Sequence, residues 1–451
     1  MIRSKLILKS AALLFALAPE WSGCNLTAGI DTMLSAPRLT VEQEQIYQAL
    51  QRAAGSGISL KYPKSGEYLS AFTVVDLDGD GDDEAIVFYE ISGASAEENP
   101  LRMCLLDQKD GEWRDVKDYT TAGAEVERIS IQKLGDNPRT NLIVCYGMVD
   151  GAKYSAEILH YEDGGLQLSR STPYSVMDVR DLDLNGSQEL LVVNAATVST
   201  AATATVYALD VSGSYYQSSV ELPDVFTDFS GVLYSKLPSD DPRTANSGLA
   251  VYIDGTTGAT TMQTEVLTYA DHKLSLQYAD NAERFTSTTR SVGCPCMDID
   301  SDGEAEIPVQ TVFYGYSSAE ESEQVPMTSW YICRNGALIR KKSSYYAKSS
   351  GYFFLLPEIW EKKVTAMPAA NEVVFWEMDT EAASEDGKPV LKQPLLRIAS
   401  ATDSESAAEL EKNGYLLLRQ RGDLRCYAKI EDNKSALGIC KSDLLFAMRY
   451  L

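Results

Sequence analysis

Apolar runs of four to seven residues recur along most of this chain, each followed by polar turn residues. AIVFY (85–89), RMCLLD (102–107), LIVCY (142–146), AEILHY (156–161), LLVV (190–193), ATVYALD (204–210), TEVLTY (264–269) and SWYIC (329–333) are rich in β-branched and aromatic residues. Runs of that length and content read as strands. KDG (109–111), DGG (163–165) and RNG (334–336) supply hairpin chemistry between them. One stretch breaks the pattern near the start: TVEQEQIYQALQRAAG (40–55) opens with Thr40 and Gln43 as a capping box and stops at Gly55, which predicts a short helix.

The strands are organised by a repeat. DLDGDGDDE (76–84), DLDLNGSQE (181–189) and DIDSDGEAE (298–306) share the frame D-x-D-x-D/N-G-x-x-E. Between them, KLGDNPRTNLIVCY (133–146) and KLPSDDPRTANSGLAVY (236–252) share K-L and P-R-T before an apolar strand but lack the acids. With the strand ahead of each loop included, four strands fall in roughly 55 residues, and five such units cover about residues 69–350, the spacing of propeller blades. The fold expected is mainly β: a propeller of five recognisable blades, with a sixth possible. ISLKY (58–62) has the layout of a blade's last strand, so it is expected to seal the ring from the N-terminal side.

Beyond about residue 352 the pattern changes. FFLLPEIWEKKVTAMPAANEVVFWEM and KPVLKQPLLRIASA read as strands, SESAAELEKNG as a helix closed by Gly414, YLLLRQRGDLRCYAKI as a hairpin, and KSDLLFAMRYL as a helix. Residues 352–451 are expected to form a small α+β domain with Trp360 and Trp376 in its core; a degenerate sixth blade is the alternative. The division is then 1–23 leader, 24–57 tether and helix, 58–351 propeller, and 352–451 C-terminal domain.

Six carboxylates in the nine residues 76–84 repel one another unless a cation sits among them. Oxygen donors at alternate positions, a Gly for the sharp turn and a closing carboxylate suit Ca²⁺, which takes six to eight oxygens. An EF-hand would place a bidentate Glu at position 12 and continue as a helix. Position 12 is instead Val87, Val192 and Val309, each inside a strand-like run, so the acids lie on loops between strands.

These repeats resemble the FG-GAP/VCBS family, the calcium-loop blades of integrin-α-type propellers. The resemblance implies up to three calcium sites with ligands at Asp76, Asp78, Asp80, Asp82 and Glu84; Asp181, Asp183, Asn185, Ser187 and Glu189; and Asp298, Asp300, Asp302, Glu304 and Glu306. Position 7 of each would contribute its backbone carbonyl. The uncharged Asn185 would make the second site the weakest.

Composition narrows the partners. The formal net charge of −25 disfavours nucleic acid. Arg3, Lys5 and Lys9, the apolar AALLFALA (11–18) and then WSGC read as a secretory signal, too short to span a membrane. Ser22-Gly23-Cys24 resembles the lipobox of bacterial lipoproteins, which implies lipidation at Cys24 and anchoring to the outer face of the cytoplasmic membrane; simple secretion is the alternative. Trp21 and Glu20 depart from that pattern. The seven later cysteines are odd in number and scattered, so they read as buried apolar residues.

His160 and His272 are the only histidines, and no nucleophile, zinc or nucleotide motif accompanies them. No catalytic residue can be named. The expectation is a binding, adhesion or scaffolding module for a protein or glycan ligand, with SGASAEENP (92–100) and SSAEESEQVP (317–326) as candidate recognition loops. A polysaccharide-acting hydrolase or lyase is the alternative, since such chemistry needs few residues.

Overall fold

The computed structural model describes residues 39–451 except 92–98, 150–152, 223–225, 238–247, 278–287, 335, 370, 383–386 and 432–433, and leaves out the side chains of 115 and 116. The leader, Cys24, most of the tether, most of the 92–100 loop and the P-R-T of 242–244 therefore lie outside the described residues. Among the described residues the strands form six sheets that follow one another along the chain. All pairings are antiparallel except a two-residue one between Ser65–Gly66 and Glu125–Lys133.

Alternation along the strands explains how the sheets stack. In Glu84–Ile91 of the first sheet, Ile86 and Phe88 join a core shared with Leu142, Val144 and Tyr146 of the second. The intervening Ile143 and Cys145 face Leu190 and Val192 of the third sheet instead. The same switch passes from Leu191 and Val193 to Val251 and Ile253 of the fourth. Ala250 and Tyr252 then meet Ile307 and Cys333 of the fifth. Successive side chains of a strand point to opposite faces, so each central strand serves two neighbouring cores. The largest core lies between the fifth and sixth sheets, where Trp330, Phe354, Trp360 and Phe375 pack together. Trp360 is fully buried and donates its indole N–H to the Leu437 carbonyl at 2.8 Å, while Trp376 is only half-buried.

The expected seal of a ring by residues 58–62 is not what the strand pairing shows. Ile58–Lys61 pairs with the Ile91 to Phe88 half of Glu84–Ile91, inside the first sheet. The reason is visible in the register: Phe72–Val75 covers only Glu84 to Val87 on that edge. Four residues of backbone would be left unpaired, and Ile58–Lys61 satisfies them. The other face of the first sheet is covered by a helix, α1 (Val41–Ala54), whose Ile46, Ala49 and Leu50 pack on Phe72, Val87, Cys104 and Trp113. Thr40 and Gln43 form the capping box read from the sequence. At the other end of the stack, α2 (Ser404–Lys412) lays Ala407 against Ala401 and Tyr427 of the sixth sheet. Among the described residues no hydrophobic cluster is shared by the first and sixth sheets.

The sixth sheet holds Val364–Pro368, Glu372–Met378, Leu391–Ala401, Leu416–Arg421 and Leu424–Ile430. Tyr352–Leu355 and the chain's last strand, Met448–Tyr450, belong to the fifth. A third helix, α3 (Lys441–Ala447), precedes that last strand. Six of the seven described cysteines are buried and Cys440 is exposed.

Because α1 replaces a neighbouring sheet as the cover of the first, Leu50→Ala is expected to destabilise the protein by about 2–5 kcal/mol. Loss of the cap by Thr40→Ala should cost only about 1 kcal/mol. Urea unfolding followed by Trp fluorescence checks the order of the two effects.

Candidate metal centres

The first two acidic loops each join two paired strands of their sheet, Phe72–Val75 to Glu84–Ile91 and Val176–Arg180 to Glu189–Asn194, while the third runs from an isolated Met297–Glu306 bridge into Ile307–Val312; all three are built on the same hydrogen bonds. Both oxygens of the position 1 aspartate accept backbone N–H groups. Asp76 takes Gly79 at 2.7 Å and Gly81 at 3.2 Å, Asp181 takes Asn185 at 3.0 Å and Gly186 at 2.9 Å, and Asp298 takes Ser301 at 2.6 Å and Gly303 at 2.9 Å. The position 5 side chain accepts the N–H of position 7: Asp80 from Asp82, Asn185 from Ser187, Asp302 from Glu304. Gly81, Gly186 and Gly303 sit at φ +97°, +96° and +88°, where a side chain would strain the backbone. Position 2 is the apolar anchor, since Leu77, Leu182 and Ile299 are buried in three different inter-sheet cores.

The closing glutamates are the unusual feature. Glu84, Glu189 and Glu306 are 1%, 2% and 0% exposed. Each accepts the N–H of position 2, from Leu77 at 2.6 Å, Leu182 at 2.8 Å and Ile299 at 2.9 Å. One neutral donor cannot offset the desolvation of a carboxylate. Burial accordingly pushes Glu84 up to about 7, with Asp78, Asp107 and Asp76 adding to the rise. It pushes Glu189 to about 8, aided by Asp183, Asp181 and Asp136. Asp78 and Asp183 are also raised, first by burial.

Ligand atoms of Asp76, Asp78 and Glu84 converge within 4.8 Å of one another, as do those of Asp181, Asp183 and Glu189. Asp80 and Asp82 stand on the first loop outside its triplet, and Asn185 and Ser187 stand on the second loop beside its three carboxylates. Among the described residues no basic side chain ion-pairs with a carboxylate of either loop; Lys109 pairs with Asp107, outside the frame, at 3.2 Å. These two donor sets fit a hard divalent cation, in charge, in oxygen chemistry and in the cost of leaving the glutamate unneutralised.

Two further acids face these loops. Asp107 lies on the neighbouring strand directly opposite Glu84 and is 9% exposed. Asp136 comes from the second sheet's acid-poor loop and lies 3.5 Å from the Ser187 hydroxyl. It is carried there by Gly135, which packs so tightly that a Cβ would lie 2.2 Å from the Leu209 carbonyl oxygen. Cross-strand register and inter-sheet docking place both acids, so motif spacing could not reveal them.

The third loop differs. Asp298, Asp300 and Asp302 converge, but the Lys341 ammonium lies among the acids, 3.1 Å from Asp300, 2.5 Å from Asp302 and 2.6 Å from Glu306. Arg334 pairs with Glu304 at 3.5 Å, and Lys236 donates to the Asp302 carbonyl at 3.0 Å. Burial raises Glu306 to about 7 even with the Lys341 contact working against it. The segment leading into this loop is pinned by a buried ion pair between Arg290 and Asp254, at 2.7 Å. Arg290 also donates to the Cys294 carbonyl at 2.6 Å.

Elsewhere, His160 contacts Ser169 at 2.8 Å and Glu162 at 3.3 Å, while His272 stacks on Tyr216 and stands near enough to the second loop that its positive charge would work against the rise at Asp183, without joining the Asp181/Asp183/Glu189 triplet. The 317–326 loop is folded down: Ala319 and Val325 are buried around a short 3-10 turn, Glu321–Glu323. A cleft of about 610 Å³ lies between the first and second sheets, lined by Lys61, Tyr62, Lys64, Glu125, Glu127 and Tyr154. Tyr62 is 57% exposed there, and Lys64 pairs with Glu125 and with Glu127.

No protein-family model matches the chain, and no curated protein matches it. Solved structures with detectable similarity include a hypothetical selenium-binding protein from Sulfolobus tokodaii, at 10% identity and a TM-score of 0.26, covering 48% of this chain and 55% of that one. A rhamnogalacturonan lyase from Bacillus licheniformis gives 10% identity and 0.28, over 74% and 76% of the two chains. The WD40 domain of coronin from Toxoplasma gondii gives 10% and 0.22, over 86% and 92%. This chain thus spans about half the length of the first of these. At such scores the likenesses carry no argument about site or activity.

The glutamates set a pH dependence. Their folded values lie above the ordinary 4.5, so the native state holds protons that the unfolded chain has released. The contribution of these two glutamates to metal-free stability is therefore full below about 4.5 and is lost as pH rises through about 7 to 8. The melting midpoint in chelator should drop between pH 5.5 and 8.5, and a divalent cation added at the higher pH should restore most of it. Calorimetry at the two pH values checks both halves.

Proposed function

We propose that this chain is an exported, lipid-anchored, calcium-stiffened array of propeller-like sheets that binds a protein or glycan ligand outside the bacterial cytoplasmic membrane. The observation that carries the proposal is the pair of convergent carboxylate triplets, Asp76/Asp78/Glu84 and Asp181/Asp183/Glu189, each with a buried glutamate and no basic partner among the described residues. Calcium is the choice among hard cations because the loops offer several flexible oxygen donors beside the carboxylates, and Ca²⁺ tolerates irregular coordination where Mg²⁺ demands a near-ideal octahedron. Calcium-rich surroundings and the basic-apolar leader ending at Cys24 belong to the same extracytoplasmic reading. The FG-GAP/VCBS kinship rests on the loop frame and the strand that follows it.

A rigid stack with loops locked by ions is suited to presenting a fixed surface. On this reading the ligand surface is the cleft between the first and second sheets. Its exposed Tyr62 ring offers a stacking platform, and its paired Lys and Glu side chains offer hydrogen bonds for hydroxyl-bearing or peptide ligands.

Thermal unfolding of metal-stripped protein titrated with Ca²⁺ tests the stiffening. The midpoint should rise, each occupied loop contributing about 2.7 kcal/mol at a hundredfold excess over Kd. Asp78→Ala and Asp183→Ala should each remove part of the rise, and a midpoint indifferent to calcium would contradict the proposal. Retention of glycans or envelope proteins on immobilised protein, with Tyr62→Ala as the comparison, tests the ligand surface. Release of shortened polysaccharide in the same assay would favour the enzyme alternative.

A further inference from the structure

The third loop keeps the whole D-x-D-x-D-G-x-x-E frame, yet a cation belonging to the chain already stands among its acids. We propose that the Lys341 ammonium is the resident counter-ion of this loop, so that residues 298–306 hold their shape without metal while the first two loops depend on it. This rests on the calcium reading of the first two loops for its contrast, but the role of Lys341 stands on its own geometry.

Three observations carry it. The first is the contact set: one nitrogen reaches a carboxylate oxygen of Asp300, Asp302 and Glu306, at 3.1, 2.5 and 2.6 Å, which spends all three of its N–H groups on the loop. Two of those acids, Asp300 and Glu306, correspond to the Asp78 and Glu84 that converge in the first loop.

The second is how Lys341 comes to point there. Along the pairing of Pro326–Arg334 with Ala337–Ala347, Trp330 faces Lys342 and Tyr331 faces Arg340, so Lys341 is the extra residue of a β-bulge. A bulge re-aims a side chain that regular alternation would send elsewhere. Lys341 is also well covered, at 20% side-chain exposure, so it is seated among the acids rather than draped over them.

The third is the charge around the loop. Lys236 donates to the Asp302 carbonyl and crowds Gly303, and Arg334 sits beside Glu304. Every acid of the frame beyond Asp298 thus has a lysine or arginine on it, where among the described residues no lysine or arginine ion-pairs with an acid of the first or second loop and only His272 stands near Asp183. A divalent ion would have to enter against these charges and displace the ammonium. The ranking expected from charge count alone, with the Asn185 loop weakest, is then reversed: the all-acid third loop is the poor metal site.

Equilibrium dialysis of the full chain against calcium reads the number of ions bound. Wild type should hold two, Asp78→Asn and Asp183→Asn one each, and Asp300→Asn still two. Lys341→Met should gain a third ion that Lys341→Met/Asp300→Asn loses. Three ions in wild type, one of them lost on Asp300→Asn, would overturn the proposal even if Lys341→Met fails to fold. No ions in wild type would mean that the calcium reading of the first two loops has failed. The lysine's role is then decided by melting in chelator: a lower midpoint for Lys341→Met, partly regained on adding Asp300→Asn, supports it, and an unchanged midpoint overturns it.

Discussion

A carboxylate sealed beneath each acidic loop and held by a single backbone N–H is the constraint from which the rest of the structure follows. Glu84, Glu189 and Glu306 are nearly inaccessible, and each starts or adjoins the strand that carries the loop's sheet into the core. An ionised carboxylate in that position costs several kcal/mol unless its charge is met. The molecule has three means of meeting it. A proton can do so at low pH, the convergent acids of the first two loops could hold a hard cation that does so, and an ammonium from the chain stands beside the third.

The loops matter beyond their own residues because they sit where sheets meet. Leu77, Leu182 and Ile299, one residue after the first aspartate of each frame, are plugs in three separate inter-sheet cores. The backbone around them is shared with neighbours: Leu249 of the fourth sheet donates to the Leu182 carbonyl at 2.7 Å, and Gly135 of the second donates to Gln188 at 2.8 Å. On the proposed reading, neutralising a loop would stabilise the packing of one sheet on the next, which would tie ion binding to global stability rather than to a local turn. The same linkage makes the two helical ends meaningful, since α1 and α2 cover faces of the first and sixth sheets that would otherwise meet water.

Much of this was legible in the chain. The apolar runs marked the strands, Thr40 and Gln43 marked α1, and the three acidic frames marked loops between strands rather than EF-hands. Element type follows from local pattern, and these patterns were strong. Pairing partners were not legible. Residues 58–61 looked like a strand that seals a ring, but which edge has unsatisfied backbone depends on Phe72–Val75 being too short to cover Glu84–Ile91. The completeness of each site was hidden for the same reason. Asp107 reaches the first loop through cross-strand register, Asp136 reaches the second across a sheet interface, and Lys341 reaches the third through a one-residue bulge. A bulge leaves no mark in the spacing of a motif, so a frame with an acid at every candidate ligand position concealed its own counter-charge.

Anomalous scattering from crystals grown with calcium, recorded at a wavelength where the ion scatters strongly, locates bound ions directly. The account predicts a peak about 2.3–2.6 Å from oxygens of Asp76, Asp78 and Glu84, a second at Asp181, Asp183 and Glu189, and no peak among Asp298, Asp300 and Asp302, where the Lys341 nitrogen remains. Bare first and second loops, or a peak in the third with Lys341 swung away, would contradict it.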